Sequence, residues 1–238
     1  MYGDLRGTVR YFADLMGCTD DLVDVRDVSG LVEAFEVHSD TIALMSMESC
    51  TNPSGQIMDF SVVCKKLKRF SRRSIVCVDN TWLSHTLFKP LQHGADLVLE
   101  STTKYVSGGR CIGGMVAGRV RLVNYMQSNW VRIYGQFITP VQCQYVLDGL
   151  LDFEDRMRHS GTVTLQAAQY LEAHAGVARV LYPLLESHPT YKTNLRVLSS
   201  AVIRPSVLIF HVQHQARTKR AIEELLQRTT LTVETSYG

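Results

Sequence analysis

Apolar residues along this chain recur in two patterns. Ile75 to Val78 and Leu97 to Leu99 are unbroken apolar runs, and Thr41 to Met47 is a third, built of apolar and small residues. Such runs mark parallel strands covered on both faces. Ahead of the Ile75 strand, Phe60, Val63, Leu67 and Phe70 recur at helical spacing within a predicted helix over 59–70. Leu22 to Val25 reads as a further strand, and Gly30 to Val37 as a short helix after Ser29. Strand and helix alternating in this way predict an α/β fold, a mostly parallel central sheet with helices on both faces.

Past the Leu97 strand, Ile112 to Ala117 is apolar and glycine-rich, suited to a strand packed closely on its neighbour. Thr139 followed by Pro140 starts a helix whose apolar side is Val141, Tyr145, Leu147, Leu150 and Leu151. A helix over about 162–173, strands over 177–182 and 207–212, a helix over 216–228 and a strand over 231–233 complete the prediction.

In an open parallel sheet the binding crevice lies beyond the carboxyl ends of the strands. Asp79, Ser101, Thr103 and Lys104 all fall there, and ESCTNP, Glu48 to Pro53, opens onto the same crevice. A desolvated lysine can lose its proton, and only the free amine forms a Schiff base with an aldehyde. Ser101, Thr102 and Thr103 offer three hydroxyls to phosphate oxygens. An aspartate one strand away suits a heteroaromatic nitrogen that must stay protonated to act as an electron sink. Together these parts describe a site for pyridoxal phosphate (PLP). Singly each has a plainer reading, since a strand-end aspartate is usually a cap or turn former and Asn-Pro a turn without a ligand.

VDNTW, with the lysine of STTKYVSGG 25 positions after its aspartate, resembles the cofactor segment of the Cys/Met-metabolism PLP-dependent enzymes. Those include cystathionine gamma-synthase, the cystathionine beta- and gamma-lyases, methionine gamma-lyase and O-acetylhomoserine sulfhydrylase. The motif residues here are Asp96, Leu97, Ser101, Thr102, Thr103, Lys104, Tyr105, Val106 and Gly108. The resemblance implies a fold-type I PLP-dependent transferase, with a PLP-binding large domain over 1–160 and part of a smaller C-terminal α/β domain over 161–238. By the family's pattern Lys104 carries the cofactor, Asp79 pairs with its pyridine nitrogen, and Ser101 and Thr103 hold its phosphate. Asn52 donates to the ring hydroxyl with Glu48 supporting it. Tyr2 stacks on the ring and helps move protons, and Ser236 approaches the substrate carboxylate. His188, in a Ser-His-Pro turn, is implied to be structural. The chain departs from the pattern at Gly109-Arg110, where the family has Gly-His, and at Cys50, where it has proline.

The implied activity is transsulfuration chemistry on a small sulfur amino acid, with VDNTW and LFKPLQHGAD favouring a carbon-sulfur lyase. A gamma-replacement enzyme and a non-catalytic truncated relative are the alternatives. The resemblance further implies that a full-length form is longer at both ends, with a phosphate loop in front and a carboxylate-binding arginine behind, and forms a homo-oligomer, a dimer of dimers.

The net charge of +2 over 238 residues gives no broad basic field for nucleic acid. Lys65, Lys66, Lys68, Arg69, Arg72 and Arg73 cluster on the polar side of the 59–70 helix and its end, as a solvated face would. The six cysteines show no CxxC and no metal-ligand spacing, His211 and His214 lack carboxylate or cysteine partners, and no metal is expected. MYGDLRGTVR lacks the apolar core of a secretory signal, and no apolar run is long enough to span a bilayer. A cytoplasmic location is the expectation.

Overall fold

Two aspartates start the helices that flank the first strand. Asp27 accepts hydrogen bonds from the N–H groups of Ser29 and Gly30 at 3.1 and 3.0 Å, and Asp59 accepts from Val62 N–H at 3.3 Å. Each such cap contributes about 1 kcal/mol. In the computed structural model the described residues are 3–24, 27–39, 41–200, 202–213 and 224. Their order begins α1 (Gly3–Leu15), α2 (Val28–Val37), β1 (Leu44–Glu48), α3 (Phe60–Phe70), β2 (Ile75–Asp79), the short α4 (Ser84–Leu87) and β3 (Leu97–Ser101). It continues with β4 (Gly114–Gly118), α5 (Val120–Met126), α6 (Arg132–Tyr134), α7 (Pro140–Leu151), α8 (Phe153–Glu172), β5 (Val177–Leu181), α9 (Tyr191–Val197) and β6 (Ile209–Val212).

The sheet order is β1-β2-β3-β4. The β1/β2 and β2/β3 pairs are parallel, with Glu48 opposite Asp79 and Asp79 opposite Leu99, so three strands end almost level. β4 is antiparallel to β3, Ser101 facing Gly114. The segment between them folds back as a single turn and holds no crossover helix, which a parallel neighbour would require. α2, α3 and the first turn of α8 bury Leu31, Phe35, Phe60, Val63, Leu67, Phe153 and Met157 with Val76, Val78, Leu83 and Phe88 in one core. A second, smaller cluster gathers Ala168, Val180, Tyr182 and Leu185 around the antiparallel β5-β6 pair.

Several expectations shift. Residues 22–24 adopt no regular structure, and Val25 lies outside the described residues. Gly7 and Thr8, near Tyr2 in sequence, are part of α1. α8 begins at Phe153, ahead of the predicted 162, and runs through Ser160. Gly161, just ahead of the predicted start, lies inside α8 and is packed closely: a Cβ would come within 2.9 Å of the Arg204 carbonyl carbon. The helix over 216–228 and the strand over 231–233 lie outside the described residues apart from Glu224.

The basic cluster is not uniformly solvated. Lys68 Nζ donates to Asp96 Oδ2 at 2.9 Å and to the carbonyl of Ser74. The same buried carboxylate accepts from Val76 N–H at 2.8 Å and pairs with Arg119 at 2.5 Å. Asp96 therefore staples α3, β2 and β3 at the end of the sheet away from the crevice.

All six cysteines are free thiols. Burial pushes Cys64 and Cys77 up to about 11, so both act as small apolar groups. No helix among the described residues is long and apolar enough to cross a membrane.

Candidate functional site

Beyond the level ends of the parallel strands the ladder extends one more residue. Ser49 N–H donates to the Asp79 carbonyl and Asn80 N–H to the Leu99 carbonyl, each at 2.8 Å. Asp79 is thereby fixed between its two neighbours. One oxygen of its half-buried carboxylate, Oδ1, accepts from Thr81 N–H at 2.9 Å. The other has no hydrogen-bond partner among the described residues. Thr81 Oγ1 accepts from Ser101 N–H at 2.9 Å, so one threonine ties the ends of β2 and β3. The sequence reading gave Thr81 no role.

At the end of β1, Glu48 Oε2 accepts from Asn52 N–H at 3.3 Å and bends the chain back over the strand. Thr51 N–H donates to Gln56 O, and Gly55 N–H to Thr51 O, closing the turn that holds Asn52. His188 secures this turn from the second cluster. Its Nε2 lies 3.0 Å from the Ser54 carbonyl and its Nδ1 3.3 Å from Thr190 N–H. That pattern assigns a neutral ring protonated at Nε2, and burial holds its pKa below the ordinary value.

Along β3, Leu99 and Ser101 point to one side while Val98 and Glu100 are buried on the other. Glu100 accepts from His85 N–H and pairs with His85 Nδ1, both at 3.3 Å, and this bond raises the His85 pKa. Lys104 follows on a single π-helical turn, Thr102–Val106, closed by Ser107 N–H donating to Thr102 O at 2.9 Å. The turn ends on Gly108 and Gly109 with φ of 63° and 78°, backbone that glycine adopts without strain. Arg110, in the place where the family has histidine, donates from Nε to the Ser107 carbonyl at 2.8 Å.

The two phosphate candidates differ. The Ser101 hydroxyl has no hydrogen-bond partner among the described residues. Thr103 Oγ1 donates to Gly113 O at 3.2 Å and accepts from Gly113 N–H at 3.0 Å, so its one proton is already used. Tyr2 and Ser236 lie outside the described residues.

The donor set fits PLP. Among the described residues a carboxylate oxygen of Asp79 on the middle strand and the hydroxyl of Ser101 on the next have no hydrogen-bond partner, and half-buried Lys104 follows three residues further. Asn52, held by Glu48, is the neutral amide on the remaining strand end. Besides Thr81, the sequence reading passed over Arg156, whose only linear signal is the helical i, i+4 spacing from Asp152.

Comparison with known proteins identifies the family. The chain is 30% identical over 199 residues to cystathionine gamma-synthase 1, chloroplastic, of Arabidopsis thaliana, covering 83% of this chain and 34% of that protein. It is 31% identical over 168 residues to L-methionine gamma-lyase of Fusobacterium nucleatum, covering 70% and 42%. The chain thus spans about a third to under half the length of these curated relatives. Among solved structures it superposes on cystathionine gamma synthase from Xanthomonas oryzae pv. oryzae in complex with cystathionine, with TM-score 0.81, 30% identity and coverage of 98% and 59%. For cystathione gamma lyase from Micromonospora echinospora the TM-score is 0.84 at 25% identity, covering 100% and 60%. The pattern of one family matches residues 1–238 throughout, and the chain belongs to that family, the Cys/Met metabolism PLP-dependent enzymes.

Proposed function

We propose that this chain carries the cofactor-holding part of a carbon-sulfur lyase acting on a sulfur amino acid. The observation that carries the reading is the almost level ending of three strands, with Glu48 opposite Asp79, Asp79 opposite Leu99, Ser101 two residues further along β3 and the Lys104 turn directly after. PLP, when bound, supplies the electron sink for cleavage next to the amino-bearing carbon. Asp79, its Oδ1 fixed by Thr81, would hold a proton at the pyridine nitrogen through its other oxygen. Lys104 Nζ would hold the cofactor in the resting state and, once displaced by substrate, move the α-proton. Ser101 would donate to the phosphate, and Asn52 to the ring hydroxyl. Relatives named as synthases and as lyases resemble the chain about equally, so gamma-replacement is the competing activity.

We also read the protein as a cytoplasmic homo-oligomer, with a large domain over 1–160 and a smaller unit over 161–238. Residues 112–151 support self-association. Tyr125, Trp130, Tyr134, Phe137 and Tyr145 are 40–64% exposed, and large aromatic side chains of this kind are the ones protein interfaces favour.

The test is to mix the protein with PLP, record the visible absorbance, trap with borohydride and map the label. Label on Lys104, lost in Lys104→Ala, is expected. A label elsewhere, or an unchanged band in the variant, rejects the assignment. Release of a 2-oxo acid and ammonia from cystathionine or methionine would mark the lyase, and incorporation of an added thiol the replacement enzyme.

A further inference from the structure

The turn that presents Lys104 is held from outside as well as by its own backbone. Tyr105 and Val106 are its last two residues, and although Tyr105 O accepts from Gly108 N–H at 3.2 Å, carbonyls at a helical end can take further donors from elsewhere in the chain. Arg156, in α8, reaches both. Its Nη1 donates to Tyr105 O at 2.8 Å, and its Nη2 to Gly149 O at 2.6 Å and Val106 O at 3.4 Å.

The guanidinium is itself fixed. Nε donates to Asp152 Oδ1 at 2.8 Å, one turn earlier, and the group lies 5.9 Å over the ring of Phe153. Four acceptors are met by one rigid plane with five donors, a geometry the single nitrogen of lysine cannot copy. α7 packs against the same turn at Gly149, where a Cβ would overlap Val106 O and approach Ser107 Cα to 2.9 Å. Arg158, on the same helix, is the contrast: it is exposed and pairs with Asp155 at 2.6 Å.

We propose that Arg156 is a positioning residue for Lys104. It is placed to fix, through the two carbonyls that follow the lysine, the direction in which the amine points. The inference rests on the PLP reading of the site. Asp152 offsets the arginine's charge, so the effect on Lys104 is geometric. A misplacement of about 1 Å at a reacting atom can lower a rate on the order of 100-fold.

The experiment uses the full chain and PLP itself. Arg156→Lys keeps the charge and can keep the Asp152 pair but loses bonds to the turn, so its urea midpoint without PLP should fall and the folded fraction is measured alongside binding. PLP affinity, corrected for the folded fraction, should fall roughly 10- to 100-fold, as expected for loss of one or two charged hydrogen bonds. The pH midpoint of the visible band should move, because it reports the surroundings of the lysine amine. Arg158→Ala should leave all three readouts unchanged. A labelled wild type with an equally labelled Arg156→Lys, at the same PLP affinity and band midpoint, overturns the inference alone. So does a loss of binding fully accounted for by unfolding. A wild type that takes no label on Lys104 overturns the PLP reading and this inference with it.

Discussion

Gly149→Ala is a sharp test of how the lysine turn is held. The position lies inside α7, where alanine should gain about 1 kcal/mol of helix stability over glycine. Here the added methyl would overlap Val106 O, sit 2.9 Å from Ser107 Cα and 3.1 Å from the Val106 carbonyl carbon. Carbon contacts are comfortable at about 3.5–4.0 Å. α7 and the turn must therefore part by up to roughly 1 Å, and the atoms that resist are backbone. Such overpacking costs about 1–3 kcal/mol, enough to cancel the helical gain of about 1 kcal/mol and leave a net loss of up to about 2 kcal/mol. The same separation stretches the Arg156 bonds to Tyr105 and Val106, so PLP affinity should fall as well. Urea unfolding reads the first effect and a PLP titration by absorbance the second. Gly7→Ala in α1, where no atom lies within 4 Å of the new methyl, is the control and should be neutral or stabilising. If Gly149→Ala is as stable as the wild type and binds PLP equally well, the turn is not held as described.

The two histidine networks should give opposite pH dependences. His188 has its pKa lowered from 6.5, chiefly by burial, with Arg179 lowering it further and the Ser54 bond opposing. Its unfolded form therefore binds more protons below 6.5, and stability should fall as pH drops from there toward the folded value. His188→Gln should flatten this acid limb of a urea-midpoint profile taken between about pH 5.5 and 7.5. His85 has its pKa raised from 6.5, chiefly by its hydrogen bond to Glu100, with Glu154 adding and Lys89 opposing. Its contribution is complete below 6.5 and is lost as pH rises through the folded value, so His85→Ala should flatten the alkaline limb. Variant profiles parallel to the wild type would reject both assignments. In sedimentation the protein should self-associate, and Phe137→Ser with Leu151→Ser, at positions 63% and 87% exposed, should weaken it. A wild type that stays monomeric at every concentration would refute that expectation.

Much of this was readable from the chain alone, for a physical reason. Ile75 to Val78 and Leu97 to Leu99 are covered on both faces, so their apolar runs are continuous, and the residues after them fall at the strand ends whatever else the fold does. Asp79, Ser101 and Lys104 follow from those runs. Helix extents were less legible. Thr162 reads as the first residue of a helix that begins at Phe153, because Gly161 is a breaker by propensity. Its place in α8 is set by the Arg204 backbone packed against it.

Contacts between residues far apart in sequence belonged to the tertiary structure. Arg156 meets Tyr105 51 positions away, and His188 meets Ser54 134 positions away. Thr103 and Ser101 carry the same hydroxyl and sit in one motif, yet Gly113 occupies the first, while the second has no hydrogen-bond partner among the described residues. Local composition fixes which groups stand at the strand ends, since periodicity depends only on neighbours. Which of those groups keeps a free hydrogen bond depends on what the folded chain brings against it.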